Sequence, residues 1–122
     1  MQRDVVITGM GIVSPLGHTP EAFFANLLAG KSGISNITRF DTSAYSVHFA
    51  GEVKDFDATK YFDAKEVGRT ARYIHYIMHA ALTAVEHAGL KDDKSLDLTR
   101  AGMILGSGMG GIETFTDARR AE

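Results

Sequence analysis

The sequence predicts an α/β fold that is incomplete in this chain. Short apolar runs without alternation, each ending in glycine, occupy Asp4–Thr8 and Ala101–Leu105 and are typical of parallel strands buried on both faces. A long amphipathic helical pattern covers Ala64–Ala88 between them. Because parallel strands need helices on both faces, this inventory predicts about half of a layered α/β fold. We therefore expect residues 1–122 to form a single partial domain, with the pattern interrupted at Glu122.

Composition excludes several classes of function. The 122 residues carry a formal net charge of −2 and are 44% hydrophobic and 23% charged, which is ordinary for a globular domain and does not favour nucleic-acid binding. No apolar stretch is long enough to span a bilayer, so no membrane partner is expected. The absence of cysteine excludes disulfides, cysteine–zinc sites and a thiol nucleophile within these residues.

The first strand is predicted by the β-branched residues Val5–Ile7 and closes at Gly9 and Gly11. The glycine spacing invites a dinucleotide-binding interpretation. However, Ser14 stands where that pattern needs glycine or alanine, and Pro15 follows it. We therefore predict no nucleotide site and no cofactor here.

The first helix begins at Thr19, an N-cap residue, with Pro20 at the first helical position and Gly30 as a left-handed stop. Its apolar face is expected to pack in the core and consists of Phe23, Phe24, Leu27 and Leu28.

The segment 31–62 is the least regular part. Alternation around Phe49 predicts a short half-exposed strand in which Val47, Phe49, Gly51 and Val53 share one face. Aromatic residues are expected to anchor the segment onto the core; these are Phe40, Tyr45, Phe56, Tyr61 and Phe62. Such a long irregular connection is usually functional or forms an interface.

The second helix is expected to run unbroken over Ala64–Ala88. Asp63 and Glu66 form a capping-box pattern, and Gly89 followed by Leu90 ends the helix. One apolar stripe is expected, comprising Val67, Ala71, Ile74, Met78, Ala81, Val85 and Ala88.

Basic residues recur along the start of this helix at Lys65, Arg69 and Arg72. A solvated helix face explains such spacing, and so does a dock for an anionic partner. Basic charge near a helix N-terminus opposes the dipole, which favours a second role.

His75 and His79 stand at i and i+4, a spacing that could chelate a metal. The zinc-protease pattern fails because no glutamate takes the second position, and Glu86 is the only nearby third ligand. We predict no metal site, and we expect surface or interface histidines.

The glycines at Gly106, Gly108, Gly110 and Gly111 follow the second strand, where open α/β sheets bind ligands. Met109 is the only bulky apolar residue in this turn. The alternative is that the glycines only permit a tight strand-to-helix connection. Ser107 does not lie in a G-x-S-x-G elbow, and no Walker lysine is present.

Several blocks together resemble one family. The segments VVITGMGIVSPLG, LLAGKSGIS, FDTSAY, FAGEVKDF, EHAGL and RAGMILGSGMGG resemble, in order and spacing, the N-terminal part of the β-ketoacyl-[acyl-carrier-protein] synthases, the second elongating class in particular. The resemblance implies the thiolase-like fold, two α/β halves stacked as α-β-α-β-α in a homodimer, and decarboxylative Claisen condensation of an acyl thioester with malonyl-acyl-carrier protein in fatty-acid elongation.

The family's catalytic cysteine, histidines and lysine lie further along its chain, so no catalytic residue is expected here. Without a thiolate there is no covalent acyl intermediate, and we predict that this chain alone is inactive. The resemblance also implies a cytoplasmic or organellar (stroma or matrix) location.

Two sites follow from the resemblance. Met109, with Gly108 and Gly110 beside it, matches the wall of the acyl-chain pocket at the dimer interface. Lys65 and Arg69 match basic residues that grip the acidic carrier protein, and Arg72 continues that strip. Gly68 stands where some members have another basic residue.

Two other functions remain open. The chain could be a non-catalytic binding or assembly module derived from a condensing enzyme, pairing through exposed strand edges. It could also belong to a subunit of a polyketide synthase.

Overall fold

The structure is a computed structural model that describes residues 4–120, with side chains described up to Thr116. Its helices and strands are α1 (Pro20–Leu28), β1 (Ser35–Asn36), β2 (Phe49–Ala50), α2 (Ala64–Arg69), α3 (Arg72–His87) and α4 (Ile112–Arg120). Short 3-10 turns cover Ala58–Lys60 and Leu98–Arg100.

Local capping residues set the helix ends as the sequence predicts. Thr19 Oγ1 accepts a hydrogen bond from the Ala22 amide at 3.2 Å, and Pro20 is the first residue of α1. Gly30 follows the helix with a φ of 66°. Gly89, at a φ of 68°, ends α3, and the Leu90 amide donates to the Val85 carbonyl oxygen at 3.1 Å.

The helix expected over Ala64–Ala88 is two helices. The predicted capping box is confirmed at the start of α2, where Asp63 Oδ1 accepts from the Glu66 amide at 2.7 Å. At Thr70 the backbone becomes extended, and the Thr70 hydroxyl donates to the Glu66 carbonyl oxygen at 2.6 Å. Gly68 and Thr70 are weak helix formers, and a threonine hydroxyl competes for backbone partners, so the break falls where intrinsic helix preference is lowest.

Helix α3 is the centre of packing in the described part of the chain. Its predicted apolar stripe is half-buried throughout. His75 and His79 are 6% and 7% exposed, and no other described side chain is as deeply buried. The Phe56 and Tyr61 rings each lie 5.3 Å from the His79 ring, so the loop before α2 packs on this helix.

The two predicted parallel strands are not formed. Residues 4–8 and 101–105 lie outside any strand, and Val5, Ile7 and Ile104 are 97%, 87% and 100% exposed. The expectation of burial on both faces was wrong because a parallel strand is buried only between neighbouring strands and covering helices. Within the described residues, the only pair of strands is β1 with β2, antiparallel, with Ser35 opposite Ala50, and an isolated bridge joins Ser14 to Gly17.

Several other apolar residues that were predicted to pack against the core are also exposed. The alternating segment forms a strand only at β2, and there Ala50 is half-buried while Phe49 is 60% exposed, so the predicted apolar face points outward. Phe56, Tyr61 and Phe62 are half-buried as expected, but Phe40 and Tyr45 are exposed. The apolar face of α1 is also largely exposed, because no described segment covers Phe24, Leu27 and Leu28.

Residues 9–11 nevertheless lie close against α3. A Cβ atom at Gly11 would collide with the Ala80 carbonyl oxygen, and one at Gly9 with the Ala84 carbonyl oxygen. These glycines therefore permit direct contact between the first segment and the helix backbone. None of the helices in the described range has the length and apolar character needed to cross a membrane.

Candidate functional site

The glycine-rich turn, residues 106–111, joins the extended segment 101–105 to α4. Ser107 Oγ accepts a hydrogen bond from the Gly110 amide at 2.9 Å, and Gly110 has a φ of 61°, a conformation that favours glycine. A Cβ atom at Gly111 would lie 2.9 Å from Ala71 Cβ. The turn is therefore seated on the junction between α2 and α3.

The three residues assigned to an acyl-pocket wall face different surroundings. Met109 is 74% exposed. A Cβ atom at Gly108 would have no neighbour within 4 Å, whereas one at Gly110 would lie 3.9 Å from the Tyr73 ring. Gly110 thus faces α3, while Met109 projects from the described surface.

An apolar cavity of about 330 Å³ opens between the start of this turn and α3. Its lining residues are Tyr73, Ile74, Ile77, Met78, Leu105, Gly106 and Ser107. Pockets with mostly apolar walls and a few polar groups suit small ligands with a hydrocarbon part. Met109 stands beside this cavity in sequence but is not among its lining residues.

The break in the predicted helix divides the basic strip. Lys65 and Arg69 lie exposed on α2, and the described part of the chain offers neither of them an ion pair. Arg72 begins α3 instead, and its Nε lies 3.6 Å from Glu113 Oε2. The structure therefore does not keep the three basic residues on one helix face.

A charged cluster missed by the sequence analysis surrounds Glu113. Arg39 Nη2 lies 2.6 Å from Glu113 Oε1, so one carboxylate bridges Arg39, from the loop after β1, and Arg72. The side chains of these three residues are between one-third and one-half exposed. No sequence pattern could have identified the cluster, because its members come from three distant segments.

Glu52 holds the backbone beside Arg39. Its carboxylate accepts hydrogen bonds from the Thr38 amide at 3.1 Å, the Thr38 hydroxyl at 2.8 Å and the Arg39 amide at 3.3 Å. Burial acts to raise the pKa of Glu52, but these hydrogen bonds outweigh it and keep the pKa below its ordinary value. The anionic form of Glu52 is thereby favoured.

The sequence predicted surface or interface histidines, whereas His75 and His79 are buried within the packing around α3. The Thr70 hydroxyl proton is used on Glu66, so His75 Nε2 donates to Thr70 Oγ1 at 2.8 Å. His79 Nε2 donates to the His18 carbonyl oxygen at 3.0 Å. Among the side chains that the structure describes, no group of three potential ligands could hold a metal ion.

Comparisons with known proteins agree with this framework. The family described as "Beta-ketoacyl synthase, N-terminal domain" matches residues 2–122. Over about 120 residues the chain is 42% identical to 3-oxoacyl-[acyl-carrier-protein] synthase 2 of Vibrio cholerae, covering 98% of this chain and 29% of the relative. It is 46% identical to the Staphylococcus aureus protein of that name, covering 97% of this chain and 28% of the relative.

A plant relative is 3-oxoacyl-[acyl-carrier-protein] synthase II, chloroplastic, of Arabidopsis thaliana, which is 40% identical over 98% of this chain and 23% of its own length. The chain thus spans less than a third of each of these relatives. Among solved structures, "The ishigamide ketosynthase/chain length factor" superposes with a TM-score of 0.75 at 31% identity, covering 99% of this chain and 30% of that one.

The structural likeness confirms the predicted fold class, part of a thiolase-like α/β fold, even though the described residues do not pair its parallel strands. Three observations indicate the same family: the order of the sequence blocks, the glycine turn seated on α3 and the family match. The chain therefore belongs to the β-ketoacyl synthase family and carries that family's N-terminal domain sequence.

Proposed function

We propose that this chain is the N-terminal segment of a 3-oxoacyl-[acyl-carrier-protein] synthase of fatty-acid elongation. The observation that supports this most is the apolar cavity of about 330 Å³ between the glycine turn and α3. It is lined by Leu105, Gly106 and Ser107, at the start of the turn whose Met109 the family resemblance assigns to the acyl-chain pocket, but Met109 itself does not line it. Relatives named for that activity support the substrate class.

The proposed reaction is a decarboxylative Claisen condensation. The acyl group is carried as a thioester on a cysteine thiolate, malonyl-carrier protein loses CO₂, and the resulting carbanion attacks the acyl carbonyl and displaces the thiolate. These 122 residues contain no cysteine, so the nucleophile must come from outside them. In this proposal the segment supplies pocket wall and docking surface, and it is inactive alone.

Lys65 and Arg69 are the proposed contacts for acyl-carrier protein. They are exposed on α2, and in the described structure neither forms an ion pair, so both are available to an acidic partner. Arg72 already contacts Glu113 and contributes less in this proposal. Complementary charge raises the association rate of such partners and makes it sensitive to salt.

The complete enzyme is proposed to be a homodimer that acts in a bacterial cytoplasm or an organellar stroma or matrix. The exposed Val5–Ile7 and Met103–Leu105 runs are surfaces that such an assembly can cover. The chloroplastic relative supports the organellar possibility.

A second candidate is a polyketide synthase subunit. It is favoured by the likeness to a ketosynthase/chain length factor structure at a TM-score of 0.75. A non-catalytic assembly module is the third candidate, and it predicts that the gene encodes only these residues.

The test begins with the intact mass of the polypeptide as its gene encodes it, followed by condensation of acyl and malonyl thioesters of acyl-carrier protein. A mass well above 13.2 kDa together with condensation supports the proposal. A 13.2 kDa polypeptide that binds carrier protein without condensation supports the module instead. Condensation by the isolated 122-residue chain would contradict the assignment of its nucleophile to another region.

For docking, the variant Lys65→Glu/Arg69→Glu should raise the KM for acyl-carrier protein about ten-fold with little change in kcat. Lys31→Glu/Lys94→Glu is the matched control, because both lysines are exposed and lie outside α2. An unchanged KM in the α2 variant would rule out docking there.

A further inference from the structure

We infer that Glu113 is a positioning residue: by bridging Arg39 and Arg72 it fixes the orientation of the glycine-rich turn and of Met109. Glu113 stands two residues after Gly111, in the first turn of α4. Its carboxylate contacts Arg39 at 2.6 Å and Arg72 at 3.6 Å. Glu113 therefore links the start of α4 to α3 through Arg72 and to the loop after β1 through Arg39.

The Arg72 contact anchors the turn to α3. Arg72 is the first residue of α3, and the preceding Ala71 is the residue against which Gly111 packs. The start of α3 is thus held to the turn twice, by the packing of Gly111 on Ala71 and by the ion pair of Glu113 with Arg72. The Gly110 φ of 61° and its hydrogen bond to Ser107 complete a turn with little freedom at its α4 end.

The Arg39 contact anchors the turn to a second, independent element. The backbone at Thr38 and Arg39 is held by the Glu52 carboxylate, which sits two residues after β2. Arg39 therefore extends from a constrained loop rather than from a free one. The Glu113 carboxylate uses a different oxygen for each guanidinium group, so the two contacts constrain its orientation together.

Met109 carries the bulky apolar side chain of the turn and takes no part in these ion pairs. It is 74% exposed and is flanked by Gly108 and Gly110, so its direction depends on how the turn is seated. On the proposed function, on which this step rests, Met109 forms part of the acyl-pocket wall in the complete enzyme, and its direction there sets the depth of that pocket. Glu113 would then influence which acyl chain lengths are accepted without touching them.

The test compares Glu113→Gln and Arg39→Gln with the matched control Glu86→Gln in the polypeptide as its gene encodes it. The control removes an exposed ion pair, Glu86 to Lys91 at 2.9 Å, at the other end of α3. Amide hydrogen exchange across residues 106–111 should rise about two- to five-fold in the first two variants, as loss of an exposed ion pair allows, and remain unchanged in the control.

The double variant Arg39→Gln/Glu113→Gln should show no more exchange than Glu113→Gln alone, because Glu113→Gln already removes the contact with Arg39. The ratio of kcat/KM for long and short acyl primers should change about two- to five-fold in Glu113→Gln. A merely structural role would lower kcat/KM for all primers equally.

Unchanged exchange across residues 106–111 would overturn the inference, and so would an equal loss for every primer. Glu113→Gln could raise exchange throughout α3 by loosening the helix. In that case exchange across residues 106–111 in Arg39→Gln tests the inference, because this variant leaves the Arg72 contact in place. If the unmodified polypeptide shows no condensation, the proposed function fails, whereas the exchange data still decide whether Glu113 positions the turn.

Discussion

The surroundings of α3 and the two extended apolar segments behave in opposite ways. Around α3, the most deeply buried side chains are polar and aromatic: His75 is 6% exposed and His79 is 7% exposed. In residues 4–8 and 101–105, by contrast, apolar side chains are largely exposed to solvent, with Ile104 at 100%. A helix satisfies its own backbone, whereas a strand needs neighbours, so only the helix can be built from one short segment.

The largest expected effect tests where the first segment touches α3. Gly11→Val places side-chain atoms against the Ala80 carbonyl oxygen and should lower the free energy of unfolding by about 3 kcal/mol. Urea denaturation measures this.

Gly68→Ala is the matched control for Gly11→Val, because a Cβ atom there has no neighbour within 4 Å and the position lies in α2. Its stability should be unchanged or slightly higher, as expected for alanine in a helix. Equal stability in Gly11→Val and Gly68→Ala would show that the first segment does not pack on α3.

An intermediate effect is expected at the buried histidine. His79→Ala removes the hydrogen bond to the His18 carbonyl oxygen and the contacts with Phe56 and Tyr61. We expect a loss of about 2 kcal/mol in the free energy of unfolding. His87→Ala is the control, since His87 is exposed and only accepts from the Met10 amide. A smaller loss for His79 than for His87 would contradict the proposed centre of packing.

The smallest expected effect is on how thermal stability falls at low pH. The lowered pKa of Glu52 means that its carboxylate stabilises the fold above the ordinary value of 4.5, and this contribution is lost as the pH falls through the lowered pKa. Glu52→Gln should therefore show a flatter fall in thermal stability below about pH 4.5 than the unmodified protein. Thermal melts at a series of pH values measure this, and parallel curves would exclude a role for Glu52.

The sequence correctly predicted the features that depend only on residues a few positions apart. Thr19, the Asp63–Glu66 box and Gly89 define helix ends through contacts a few residues away, and all three are confirmed. The break at Thr70 was missed, because the apolar stripe continues through it and masks the weak helix preference of Gly68 and Thr70. The charged cluster was missed since Arg39 and Glu113 are brought together only by the fold.

The break at Thr70 also has a consequence for substitutions on α2. The Thr70 hydroxyl contacts the last turn of α2 and the buried His75 together, so it acts as a joint between an exposed helix and a packed one. Residues on α2 can change charge without disturbing side chains packed around α3. Substitutions can therefore change the charge of the α2 surface while the packing around α3 stays the same.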